Sequence, residues 1–221
     1  MRVPWLQSPE PAGRPDVLFS SPDGTLTEIA PLLDRIVGVD LDTGTDLRAL
    51  KVAIGSEGSE PAARVRVILG SGSGAIHGEL SRFSVVEVAP TVAADYNPPS
   101  RRPAVQVGLH GFAEAGVPTD TSFSMQMIDD WGIEDVMASA LDLASRQGPT
   151  LAAVFDLAVL DPAFDPGGTV PGGLDMRRLL RAARVCGRRP EVAAAGFVTA
   201  GSALNLAYTV LSFCAGLALR P

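Results

Sequence analysis

A chain of 221 residues with a net charge of -7 and a pI near 4.8 is long enough for one large α/β domain and short for two independent ones. Its arginines are scattered or fall in short clusters, so it offers no basic surface to a phosphate backbone, and nucleic acid is not an expected partner. Lys51 is the sole lysine and no Gly-Lys-Ser/Thr motif surrounds it, so any P-loop contact or Schiff base would have to use that one amine.

Residues 1–13 carry three prolines and no apolar run of signal-peptide length, so a cytoplasmic protein is expected. Cys186 and Cys214 lie in apolar helical patterns, which suits buried, reduced thiols. Apolar, largely unalternating runs follow one another at 51–55, 65–70, 84–89, 104–109, 151–160 and 192–199. Runs without alternation fit strands covered on both faces, hence a mostly parallel sheet between two helical layers: a three-layer, doubly wound α/β fold in a single domain, 1–221.

Between those runs, Ser71-Gly72-Ser73-Gly74 reads as a strand-to-helix turn whose amides could cradle an anion. Residues 98–103 (Pro-Pro-Ser-Arg-Arg-Pro) form a stiff polar loop. The spacing of Ile133, Val136, Met137, Ala140, Leu141 and Ala144 predicts a helix over 133–147, stopped by Gly148 and Pro149. A second amphipathic helix buries Leu174, Leu179, Leu180 and Ala183 and turns Arg177, Arg178, Arg181 and Arg184 outward as a solvated face. The stretch 192–219 is uncharged and long enough to cross a bilayer. Gly201, Ser202 and Asn205 interrupt it, so the reading is a buried strand followed by a helix over 202–219, deep in the core or at a subunit interface.

From residue 104 onward the order of motifs resembles the ureohydrolase family, that of arginases, agmatinases and formimidoylglutamases. The resemblance rests on Val105-Gln106-Val107-Gly108, Phe123-Ser124-Met125 and Gly132-Ile133-Glu134-Asp135-Val136. It is strongest over Phe155-Asp156-Leu157-Ala158-Val159-Leu160-Asp161-Pro162-Ala163-Phe164-Asp165-Pro166-Gly167 with Val170-Pro171-Gly172-Gly173-Leu174 behind. Residues 67–73 and 86–93 match earlier family segments more loosely, and residues 1–50 are not aligned. The resemblance implies an arginase-like fold and, in active members, a hydroxide held between two Mn ions that attacks a guanidinium or related carbon.

The same resemblance implies that this chain has lost that centre. The family's ligand positions read Ser73, Ala89, Thr91, Ala93 and Ala158, and only Asp156 is retained. No acidic residue follows Glu191, where the family carries a catalytic-site glutamate. Losing the carboxylates together removes a repulsive, costly-to-bury cluster once metal is gone. Asp156 and His110, the latter at a strand end, are the candidate active residues, and His77 is a lesser one. Asp161 and Asp165 precede prolines and are expected to organise turns. No cofactor is expected. The functional reading is a non-catalytic partner subunit, homo-oligomeric or assembled with an active paralogue. A remodelled hydrolase of C–N bonds and a small-molecule sensor are the alternatives.

Overall fold

A computed structural model describes residues 5–7, 14–55, 63–90, 105–110 and 121–221. The positions Thr91 and Ala93, the loop 98–103 and most of 1–13 lie outside these. Eight strands are described: β1 (Val17–Ser20), β2 (Val52–Ile54), β3 (Val65–Gly70), β4 (Ser84–Val88), β5 (Val105–Leu109), β6 (Ser122–Ser124), β7 (Leu151–Asp156) and β8 (Val192–Val198). They form one sheet in the order β2-β1-β3-β8-β7-β4-β5-β6, and every pairing is parallel. The expected three-layer α/β architecture is therefore present.

Helices α1 (Thr25–Ile36), α3 (Met125–Trp131), α4 (Ile133–Ser145), α5 (Met176–Arg188) and α6 (Ala203–Ala218) share one apolar cluster with alternate strand residues such as Phe19, Val67, Val86, Phe155 and Phe197. Helix α2 (Ser73–Glu79) supplies Ile76 to a second cluster containing Leu80, Ile68, Val85, Val154, Ala194 and Val198. Because successive strand side chains alternate between faces, these clusters identify the two sides of the sheet. Glu87 and Asp156, two residues beyond Val85 and Val154, belong to the α2 face.

The six residues expected on the inner side of α4 are all buried. Helix α6 packs between α1 and α5 rather than on the surface: Phe213 meets Phe197 edge-on at 5.9 Å, and Phe197 stacks on Phe155 at 5.3 Å. No helix of the described residues is long and apolar enough to cross a membrane. The arginine face of α5 is solvated at Arg177 and Arg181, as expected, but half-buried at Arg178 and Arg184. Arg178 reaches Asp129 at 2.8 Å, and Arg184 grips Asp40 at 2.9 Å and Asp42 at 2.7 Å. Arginine's forked donors reach carboxylates on neighbouring elements whose positions periodicity does not encode.

Cys186 on α5 and Cys214 on α6 are fully buried and free, and burial pushes both thiols up to about 12. A thiol that is neither ionised nor reachable is inert. In the folded protein neither cysteine is expected to react with Ellman's reagent at pH 8, whereas both should react in guanidinium. Rapid labelling of the native protein would contradict this packing.

Candidate functional site

The C-terminal ends of parallel strands, where α/β folds collect ligands, are occupied here by Gly70, Ala89, His110, Asp156 and Val198. Strand β7 ends at Asp156 because the chain turns at once into a 3-10 helix, Leu157–Val159, which the Asp156 side chain caps. The Ala158 amide donates to Asp156 Oδ1 at 2.9 Å. This corrects the reading of 151–160 as one continuous strand run: Ala158 lies on the turn, and one oxygen of the retained carboxylate is engaged by that turn. Burial raises the Asp156 pKa above the ordinary carboxylate value. The Ala158 amide opposes that rise, Glu87 adds to it, and His77 offsets part of it.

His77, the lesser candidate, is a helix residue. It lies in α2, 4 % exposed, with Nε2 2.8 Å from Oε1 of Glu87, itself 1 % exposed on β4. Helix α2 can seat this close because Gly196 of β8 has no side chain: a Cβ there would lie 2.3 Å from Ile76 Cγ2. Strand register sets Glu87 level with Val154 and with Gln106, one pleat below Asp156. Sequence reading passed over Glu87. Its only signal was a charge inside an otherwise apolar strand, and such a residue is almost never fully buried without a partner.

His110 follows β5, and its amide donates to the Pro90 carbonyl at 3.0 Å. Its ring lies against the 161–174 loop: a Cβ on Gly172, at φ +82°, would meet Nε2 at 3.0 Å. Only glycine combines that backbone conformation with so close an approach. Asp161 shapes the loop, accepting from Ala163 N at 2.7 Å and Gly172 N at 2.6 Å, and these amides hold its carboxyl below the usual value. Asp165 is wholly buried. Its Oδ1 accepts from Gly167 N at 2.8 Å, its Oδ2 from the Asn205 side chain at 2.8 Å, and both oxygens lie within reach of Ser202 N. The turn-forming roles expected of both residues hold. Among the described residues no hydrogen bond joins His110 to Asp156, so the two candidates do not form an acid–base pair.

A sequence model of the arginase family matches residues 32–209. The chain belongs to the arginase family. Solved structures share its fold. Formiminoglutamase of Trypanosoma cruzi, oxidised and with Mn2+ at pH 8.5, is 16% identical at TM-score 0.77, with 100% of this chain and 99% of that chain covered. Formimidoylglutamase of Bacillus subtilis is 16% identical at TM-score 0.72, with 96% and 90% covered. Proclavaminate amidino hydrolase of Streptomyces clavuligerus is 18% identical at TM-score 0.70, with 96% and 93% covered. No curated protein sequence matches.

In this arginase-family chain the glycine-rich turn after β3 is also engaged, though not as an anion cradle. Asp23, before α1, accepts from Ser71 N at 2.6 Å and Ser71 Oγ at 2.7 Å through Oδ2, and from Thr25 N, Thr25 Oγ1 and Ser21 Oγ through Oδ1. The chain's own carboxylate thus takes the amide an external anion would use. Ser73 is the first residue of α2. The partial burial of Asp23 tends to raise its pKa, but the Ser71 and Thr25 donors outweigh this and hold it well below the usual value. A depressed folded-state pKa contributes stability that is present above the unfolded value and is lost as pH falls through the folded one. Asp23→Asn is therefore expected to cost about 1 kcal/mol at pH 7, small because solvent screens the group. It should also flatten the loss of stability below pH 4. Urea midpoints from pH 2 to 7 test this, and parallel curves for wild type and variant would refute it.

Proposed function

We propose that this arginase-family protein is non-catalytic, binds no dinuclear manganese centre, and serves in the cytoplasm as a structural or regulatory subunit of itself or of an active paralogue. One observation carries the reading. The retained ligand-position carboxylate, Asp156, is turned to the Ala158 amide, and the other positions that the family resemblance assigns to metal ligands are alanine, serine and threonine in the sequence. Hard divalent ions need several converging carboxylates and imidazoles. Among the described residues no group of three or more His, Cys, Asp or Glu could hold a metal ion. The described residues do not fit the metals of the family.

Assembly cannot use the body of α6, which this chain buries itself. What remains is the exposed apolar start of that helix. Leu204 and Tyr208, one turn apart, lie next to exposed Phe164, whose carbonyl accepts from Asn205. The raised pKa of Asp156 favours a second reading, a remodelled hydrolase in which this carboxyl exchanges a proton.

Calorimetric titration of chelator-free protein with MnCl2, run beside hydrolysis assays on agmatine and formiminoglutamate, separates the two. The proposal expects no manganese binding tighter than about 1 mM and no turnover. Stoichiometric manganese binding, or turnover abolished by Asp156→Ala, would overturn it.

A further inference from the structure

The opposite edge of the sheet, where the strands begin, holds a cavity of about 180 Å3 lined by Asp16, Asp46, Leu50, Arg64, Leu217 and Arg220 among others. That is below the roughly 300 Å3 at which pockets for drug-sized ligands start, and suits a small metabolite. Two guanidinium groups line it. Arg220 donates Nε to the Gly187 carbonyl at 2.7 Å and Nη2 to the Val192 carbonyl at 2.8 Å, which leaves Nη1 with no hydrogen bond among the described residues. Arg64 pairs only loosely with Asp16, at 3.6 Å. Burial and the neighbouring Arg64 together bring the Arg220 pKa down to about 10. Two cations held near each other with donors to spare favour a carboxylate between them.

A bare anion would not be matched, because Asp16 and Asp46 line the same space. Asp16 already accepts from Lys51 N at 3.0 Å. Asp46 uses one oxygen to accept from Arg48 N at 3.0 Å, and its other oxygen makes no hydrogen bond among the described residues. The lining charges sum to zero, and Ala49, Leu50, Leu217 and Ala218 supply an apolar wall. A small molecule carrying one charge of each sign and a short aliphatic group satisfies all of these features.

We infer that this cavity binds a free aliphatic α-amino acid, its carboxylate between Arg64 and Arg220, its ammonium at Asp46 and its side chain against Leu50 and Leu217. The site is separate from the C-terminal strand edge and requires neither metal nor catalysis there.

Three probes that differ by one charged group test the assignment: L-valine, isovalerate, which lacks the ammonium, and isobutylamine, which lacks the carboxylate. Calorimetry and thermal unfolding of the full chain should give saturable binding and an upward Tm shift with L-valine alone. Arg64→Glu and Asp46→Asn alter exposed side chains, and asparagine keeps the cap on Arg48, so both variants should fold. Each should weaken L-valine binding roughly tenfold or more. The inference is overturned if L-valine does not bind saturably, if isovalerate or isobutylamine binds equally well, or if neither variant changes the affinity.

Discussion

Asp165→Ala is expected to lower stability by about 3–5 kcal/mol, because it strips a buried charged acceptor from several donors at once. The amides of Gly167 and Ser202 and the side-chain amide of Asn205 all converge on this carboxylate. A Cβ on Gly201 would lie 2.1 Å from Oδ1, so the packing leaves no room for a larger substitute. The carboxylate ties the loop after β7 to the first turn of α6, and its loss should free both. Urea unfolding at pH 7 measures the cost, and hydrogen exchange should show faster opening of residues 161–174 and of the start of α6. A cost below about 1 kcal/mol, with exchange unchanged, would mean that water replaces the carboxylate and that the clamp is not structural.

Restoring one family carboxylate should harm this protein. Ala89 follows β4 and is 4 % exposed. Since Val88 pairs with Phe155, position 89 lies beside Asp156, about 5 Å away across adjacent strands. Ala89→Asp would set a second buried carboxylate there, with Glu87 one pleat below. The expected loss is about 2–4 kcal/mol at pH 7, from desolvation and like-charge repulsion. The sign follows from linkage: a carboxyl whose folded-state pKa is raised destabilises above that pKa, and the penalty fades as pH falls through it. Unfolding midpoints at pH 7 and pH 5 should therefore converge toward wild type at the lower pH. Manganese should leave the midpoint of the variant unchanged. Recovery on adding manganese would show that one restored carboxylate suffices for a metal site, and would count against the non-catalytic reading.

What the sequence disclosed follows from which interactions are local. Strands β3, β7 and β8 stood out because a strand buried on both faces needs a continuous apolar run, and helix α4 because its inner face repeats with helical period. Strand β1 has four residues and β6 has three, two of them serine, too short for any period to emerge. The strand-to-helix turn over 71–74 was legible, but the short helix it opens, α2, was not delimited, since Gly74 and Gly78 weaken helices. Ile76, seated over Gly196, holds it in place from outside the segment. Pro31 obscured α1 in the same way. At the site, the family motif located Asp156, Asp161 and Asp165, and the strand-end position singled out His110. The His77–Glu87 pair and the Asp23–Ser71 clamp join residues from different elements. They are products of the folded sheet, not of any spacing along the chain.

The sheet order also has a kinetic consequence. Strand β8, the last of the described strands along the chain, lies at the centre, between β3 and β7. Without residues 192–198 the sheet divides into β2-β1-β3 and β7-β4-β5-β6, each with an open, apolar inner edge. Such edges template pairing with other chains, and a parallel strand recruited from far along the sequence closes slowly. A chain in which β8 has not yet paired is thus expected to be prone to aggregate. Residues 192–198 join two otherwise unfinished halves, so the state before β8 docks is the one in which a chaperone would act.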